Sequence, residues 1–188
     1  MPGMTDFLTL LTGLVATGDL GGMHYGASLP ELAARYGDPW DGGRLHRDNR
    51  WPHGFGWGDV VTVFCRCRQL QSLSLPVWHG ELEIPRPGGE SVTLDTRVTE
   101  TDLTAALTAA GCTWQTVTYE NLPDQRNLMF SLAEEVRVEL VLTNREAYDE
   151  PPLEEFVLHK ALLWGYEHVD CPEPDRTLPD DGWGAGER

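Results

Sequence analysis

Asp59-Val60-Val61-Thr62-Val63-Phe64-Cys65 and Gln69-Leu70-Gln71-Ser72-Leu73-Ser74-Leu75-Pro76-Val77-Trp78 are the two stretches whose reading decides the fold. Both are short and rich in aliphatic side chains. The second alternates apolar with polar residues, the period of a strand with one buried face. Only residues 66–68 lie between them, so the pair reads as an antiparallel hairpin. Upstream, Ser28-Leu29-Pro30-Glu31 predicts a helix over residues 29–36. In such a capping box the Ser28 hydroxyl accepts from the Glu31 amide, the Glu31 side chain reaches back, and proline suits the first turn. Gly37 is a natural stop.

A similar order recurs downstream. Thr99, Thr101 and Asp102 precede a short helix over residues 103–110 that ends at Gly111. Residues 114–119 alternate like a strand, and 128–132 can pair across 133–135 with 136–142. At an offset of 74 residues Leu29 falls on Leu103, Gly37 on Gly111 and Trp40 on Trp114. Between the two units, residues 81–84 and 91–95 flank Pro85-Arg86-Pro87-Gly88-Gly89, a further hairpin signal. Beyond residue 146, Pro151-Pro152 opens a segment in which Leu153, Phe156, Val157, Lys160, Leu163 and Trp164 recur at helical spacing. The expectation is an α+β fold of two similar helix-plus-antiparallel-hairpin units in tandem, with helices on one face of the sheet and a C-terminal helix. The body spans residues 1–146, with sub-units at about 5–78 and 79–146. An amphipathic helix follows over 147–171, then an acidic flexible tail over 172–188 with Trp183 as its one anchor.

Composition narrows the function. The chain has 188 residues, 40% hydrophobic and 23% charged, which is globular and long enough for a core without disulfide or metal support. Its 30 acidic and 14 basic residues give a net charge of −16. That charge disfavours nucleic acid as a partner and suits a basic protein. Residues 146–188 hold twelve acidic and three basic side chains, so −9 of the total sits there. Thirteen of the fourteen basic residues are Arg, the bias a GC-rich bacterial genome would give. The apolar stretch from Phe7 to Ala16 follows Asp6, has no positive residue before it, and is too short to span a bilayer. Neither a secretory signal nor a membrane segment is expected, and four cysteines without disulfide-framework spacing fit a cytoplasmic protein with reduced thiols.

The densest group of chemically capable side chains is residues 46–59, His-Arg-Asp-Asn-Arg-Trp-Pro-His-Gly-Phe-Gly-Trp-Gly-Asp. Trp and Arg supply most interface hot spots, so His46, Arg50, Trp51, His53, Trp57 and Asp59 are the candidate binding residues. The competing reading makes Trp51, Phe55 and Trp57 alternating core residues of a strand. The glycines of residues 54–58 lack the lysine and the strand-to-helix setting of a phosphate loop. The cysteines read as free thiols acting as small apolar groups, with no metal and no cofactor. The alternative is a zinc site in which Cys65-x-Cys67 joins His168-x-x-Cys171. The sequence has no nucleophile elbow, no zinc-protease helix and no redox Cys-x-x-Cys, so no catalytic residue is assigned.

Arg35-Tyr36-Gly37-Asp38-Pro39 followed by Trp57-Gly58-Asp59-Val60-Val61-Thr62-Val63-Phe64 resembles small streptomycete α/β proteins of unassigned activity. In those, a helix ending in a G-x-P turn precedes a Y-G-D-[LI]-E-F strand. The likeness covers residues 28–77, with Trp57 in place of the tyrosine and Val61 in place of the glutamate. The doubled helix-and-hairpin order is similar to the tandem layout of the β-lactamase inhibitor proteins and the outer-membrane lipoprotein BamE. That similarity implies a binding module without catalysis and transfers no site residue. The leading expectation is therefore a non-enzymatic cytoplasmic protein-binding module, such as an immunity or inhibitor protein for a basic partner. A small enzyme or ligand-binding domain using residues 46–59, and a structural homodimer, are the alternatives.

Overall fold

Alternation in Val60–Phe64 sends Val60, Thr62 and Phe64 to one side of the strand, where all three are buried, and leaves Val61 and Val63 half-buried on the other. Leu70, Leu73 and Leu75 of Leu70–Pro76 are buried on the first side as well. The computed structural model describes residues 4–47, 51–133, 135–145, 152–165 and 171. Its elements in chain order are α1 (Met4–Thr17), β1 (Asp19–Leu20), β2 (Met23–His24), α2 (Leu29–Tyr36), β3 (Trp40–Arg44), β4 (His53–Trp57), β5 (Val60–Phe64) and β6 (Leu70–Pro76). They continue with β7 (Glu81–Arg86), β8 (Glu90–Asp95), α3 (Glu100–Ala109), β9 (Gln115–Tyr119), β10 (Leu122–Ser131), β11 (Val136–Thr143) and β12 (Val157–Gly165).

The α+β expectation of helix-plus-hairpin units is corrected by this architecture. The chain is mainly β, 48% strand against 21% helix, and its centre is one eight-stranded antiparallel sheet. The strand order is β3-β4-β5-β6-β12-β11-β10-β9, with β1-β2 and β7-β8 as separate two-stranded pieces. Each half of the sheet is a four-stranded set, and the halves meet at β6 and β12, so neither hairpin stands as a unit with its own core. Buried side chains from both halves, the three helices and the β7-β8 hairpin belong to one cluster.

The expected C-terminal helix is likewise corrected: residues 157–165 form β12, a central strand paired with β11 on one side and β6 on the other. A β-bulge explains the misreading. The register shifts so that Val141 faces Lys160 while Leu142 faces Leu158, leaving His159 as the extra residue. The buried positions thereby become Leu158, Ala161 and Leu163, a three-then-two spacing that looks helical in sequence. The tail over 172–188, with Trp183, lies outside the described residues.

Helix α1 takes up the apolar N-terminal stretch. Phe7, Leu11, Leu14 and Val15 recur at helical spacing and are buried. Gly18, at φ 69°, donates its amide to Leu14 at 2.7 Å in the left-handed stop that glycine adopts without strain. Thr99 caps α3 by accepting from the Asp102 amide at 3.2 Å. Ser28 occupies the N-cap of α2 in extended backbone, but its side chain makes no cap hydrogen bond. The Leu29 amide instead donates to the Arg68 carbonyl, so the helix start is tied to the β5–β6 turn.

The bulged register predicts opposite fates for two neighbours that helical spacing would place on one face. Leu163→Ala empties a fully buried site and is expected to cost about 2–5 kcal/mol in urea unfolding. Trp164→Ala, on the opposite side of β12 and half-buried, is expected to cost clearly less. Equal losses would contradict the strand register.

Candidate functional site

Of the segment from His46 to Asp59, residues 53–57 form β4 and Gly58-Asp59 the turn that follows it. Phe55 and Trp57 point into the core from β4, and His53 is buried beside them. His53 lies 4.7 Å from Phe55 between ring centroids, and Trp51 leans on both, half-buried. The Trp57 indole donates to the Gly37 carbonyl at 2.7 Å, which locks the end of α2 to β4. Asp59 accepts from the Glu83 amide at 2.7 Å and returns its own amide to the Glu83 carbonyl, so it fastens β7 to the β4–β5 turn. His46 is exposed beyond β3. Arg50 and Asp48 lie outside the described residues. The described candidate binding residues are therefore spread over core, turn and surface.

Within this segment one polar pair stands out. His53 Nε2 is 2.5 Å from Asp41 Oδ1, with the imidazole buried and the carboxylate half-exposed. The hydrogen bond from His53 holds Asp41 below its ordinary carboxylate range, against the desolvation that raises it, and the Gly43 amide adds to the lowering.

The β5–β6 turn carries a second cluster. Arg68 donates its amide to the Cys65 carbonyl at 2.8 Å and Cys65 donates to Gln69 at 3.0 Å, closing a three-residue loop. Arg68 takes the left-handed position, φ 61°, at which glycine is usual in this turn. The tight loop brings Cys65 and Cys67 side by side, and Cys171 reaches them from beyond β12. Sγ of Cys67 and Cys171 are 2.7 Å apart, and the three sulfurs all lie within 4.8 Å of one another. Arg66 steadies the approach by donating to the Cys171 carbonyl at 2.5 Å. His168 lies outside the described residues.

The thiols differ in acidity. Burial pushes Cys65 up, partly offset by the Gln69 and Cys67 amides. Cys67 is pushed up to about 12 by burial and then by its shared hydrogen bond with Cys171. Desolvation raises Cys171 too, but hydrogen bonds from Cys67, Cys65 and Arg66 outweigh it and hold that thiol down to about 7. Cys171 is the one that carries thiolate character near neutral pH. Among the described residues, these three are the ones placed to hold a metal.

A third constellation was not legible in the sequence. A cleft of about 430 Å³ opens where β6 ends, lined by Trp78, His79, Arg97, Thr99 and His159 among others. The β12 bulge puts His159 there, and its carbonyl accepts from the Val77 amide at 3.2 Å. Trp78 is 49% exposed, stands 5.1 Å from the His159 ring and donates its indole N–H to His79 Nε2 at 2.8 Å. Burial and then the Lys160 charge lower the His159 pKa, which favours its neutral form. An aromatic face, a guanidinium and a neutral imidazole suit a flat anionic group. The signal available in sequence was Trp78-His79-Gly80 at a strand end, but its partners Arg97 and His159 come from distant segments.

The Asp41 pair sets a pH dependence. A carboxyl depressed in the folded state stabilises the fold above its unfolded value of about 4, and that contribution fades as pH falls through the lower folded pKa. Asp41→Ala is expected to lose about 1 kcal/mol at neutral pH, with the gap to the parent closing below about pH 4 in denaturant titrations. A pH-independent gap would contradict the pairing. Compared with family models, characterised proteins and solved structures, the chain matches none.

Proposed function

We propose that this chain is a non-enzymatic protein-binding module, working in the cytoplasm, whose partner is a basic polypeptide that adds an extended segment along β9. The observation that carries this reading is the contrast between the two edges of the eight-stranded sheet. Strand β3 is a blunted edge: its register is bulged between Asp41 and Gly43, and Asp41 and Arg44 place charges on it. Strand β9, Gln115-Thr116-Val117-Thr118-Tyr119, has no charge, proline or glycine, and four of its five residues are exposed. It pairs only with β10 among the described residues. An unguarded edge of β-forming residues is a template for strand addition. The net charge of −16 supports a cationic partner, drawn in by steering before the strand pairs. An immunity or inhibitor protein capturing a basic toxin or enzyme is the form this reading takes. The cytoplasmic part of the reading is supported by four cysteines whose spacing in the sequence is not that of a disulfide framework. No helix among the described residues is long and apolar enough to cross a membrane.

A second reading rests on the Trp78 cleft. Its aromatic, cationic and imidazole lining supports a small anionic ligand there, which moves the ligand-binding alternative away from residues 46–59.

A peptide alternating Lys and Val is the simplest probe of the edge. Binding is expected to protect the amides of residues 115–119 from hydrogen exchange and to weaken as salt rises. Concentration-dependent protection of the same amides without peptide, with a dimer in light scattering, would replace the basic partner by a second copy of the chain. Unchanged exchange at millimolar peptide in a monomer would overturn the edge reading.

A further inference from the structure

We infer that Cys65, Cys67 and Cys171 form a thiolate site for zinc or a similar soft divalent ion, which pins the chain beyond β12 to the β5–β6 turn. Zinc binds thiolate sulfur at about 2.3 Å in a tetrahedron, which sets neighbouring sulfurs about 3.8 Å apart. Three sulfurs that all lie within 4.8 Å of one another need only small shifts to reach that spacing. Two of the ligands are held in register by the closed turn between Cys65 and Gln69, so little freedom is lost when an ion binds. The third comes from 104 residues away, and a ligand brought from so far makes the ion a cross-link between distant segments.

The surroundings fit an anionic metal centre. Three thiolates on a divalent ion leave one net negative charge, and Arg66 and Arg68 belong to the turn that holds two of them. Arg66 also binds the Cys171 backbone. The donor set holds no carboxylate, so it selects soft ions over calcium or magnesium. The fourth position of a tetrahedral ion is left to solvent or to another donor. Cys112 is not one of the trio, lies in the loop after α3 beside Ala110 and Gly111, and serves as the internal control.

The full chain, purified under reducing conditions, is the material for the test. One zinc per chain is expected by elemental analysis. Cobalt(II) added to the zinc-free chain should give the visible bands of tetrahedral cobalt and the near-ultraviolet charge transfer of thiolate ligands. Cys67→Ser and Cys171→Ser are each expected to lose the zinc and most of the charge-transfer intensity, while Cys112→Ser keeps both. Zinc should raise the thermal midpoint of the parent and of Cys112→Ser, and leave that of Cys171→Ser unmoved. Cys171→Ser changes a half-buried residue outside every strand and helix, so circular dichroism can verify that it still folds. Absence of zinc together with cobalt spectra lacking charge transfer would overturn the site. So would a mass two hydrogens below that of the reduced chain, since a Cys67–Cys171 disulfide, formed by loss of two protons and two electrons to an oxidant, would consume two of the ligands.

Discussion

The pairing of β12 with β6 holds the molecule together. Leu163 faces Leu73 and Ala161 faces Leu75 across that ladder, and on its other side β12 carries β11 and with it the second half of the sheet. Without this antiparallel seam the chain would be two four-stranded pieces, each with an apolar face too small to cover. With it, helices α1, α2 and α3 and the β7-β8 hairpin close over a continuous layer in which Leu73, Leu75, Leu140, Ala161 and Leu163 are all essentially inaccessible. The seam also explains Gly165: a Cβ there would stand 2.3 Å from the Tyr25 ring, so the last residue of β12 is bare to let the β2–α2 link cross it.

Local signals were enough to place β5, β6, β7, β8 and the helix α2, because each of these has a buried face and turn or cap residues at its ends. What could not be read was how they join. A central strand is recognised by what lies on both sides of it, and β12 is separated from β6 by eighty residues of sequence. Its bulge at His159 then removed the period-two signal that would have marked it as a strand. The same bulge hid the Trp78 cleft, since His159 reaches it only by being the unpaired residue. For the candidate site the limit was similar. The loop between residues 46 and 59 looked rich because Trp, His and Asp were close in sequence. In β4 the alternate residues His53, Phe55 and Trp57 share one face and are buried there.

Polar groups in this fold are mostly used as fasteners between segments. Asp59 ties β7 to the β4–β5 turn, Trp57 ties β4 to the end of α2, and Arg126 is 3.1 Å from Glu100 while its guanidinium lies 3.7 Å over the Phe156 ring. These contacts are local and partly solvated, so each is worth on the order of 1 kcal/mol or less. They set the angles of the covering elements rather than the stability of the sheet.

The ends of β12 are fixed by different means, and that asymmetry bears on why three thiols converge. At its start the strand is clasped by backbone: Glu100 donates to Phe156 at 2.8 Å, Leu158 donates to Val98 at 2.9 Å, and Thr99 bridges Val157. These bonds come from the entry to α3, so the incoming chain is held by a folded element. At its end the strand passes Gly165, and the next described contact is Cys171 against Cys67 and Arg66. That contact sits on the turn of β6, the strand that β12 needs most. A cross-link at this point shortens the free chain beyond the seam and opposes fraying of the β6–β12 ladder from its C-terminal end. The thiol cluster therefore acts on the same interaction that unites the two halves of the sheet, and the position of Cys65 and Cys67 in a turn rather than in a strand keeps both sulfurs clear of the ladder they would secure.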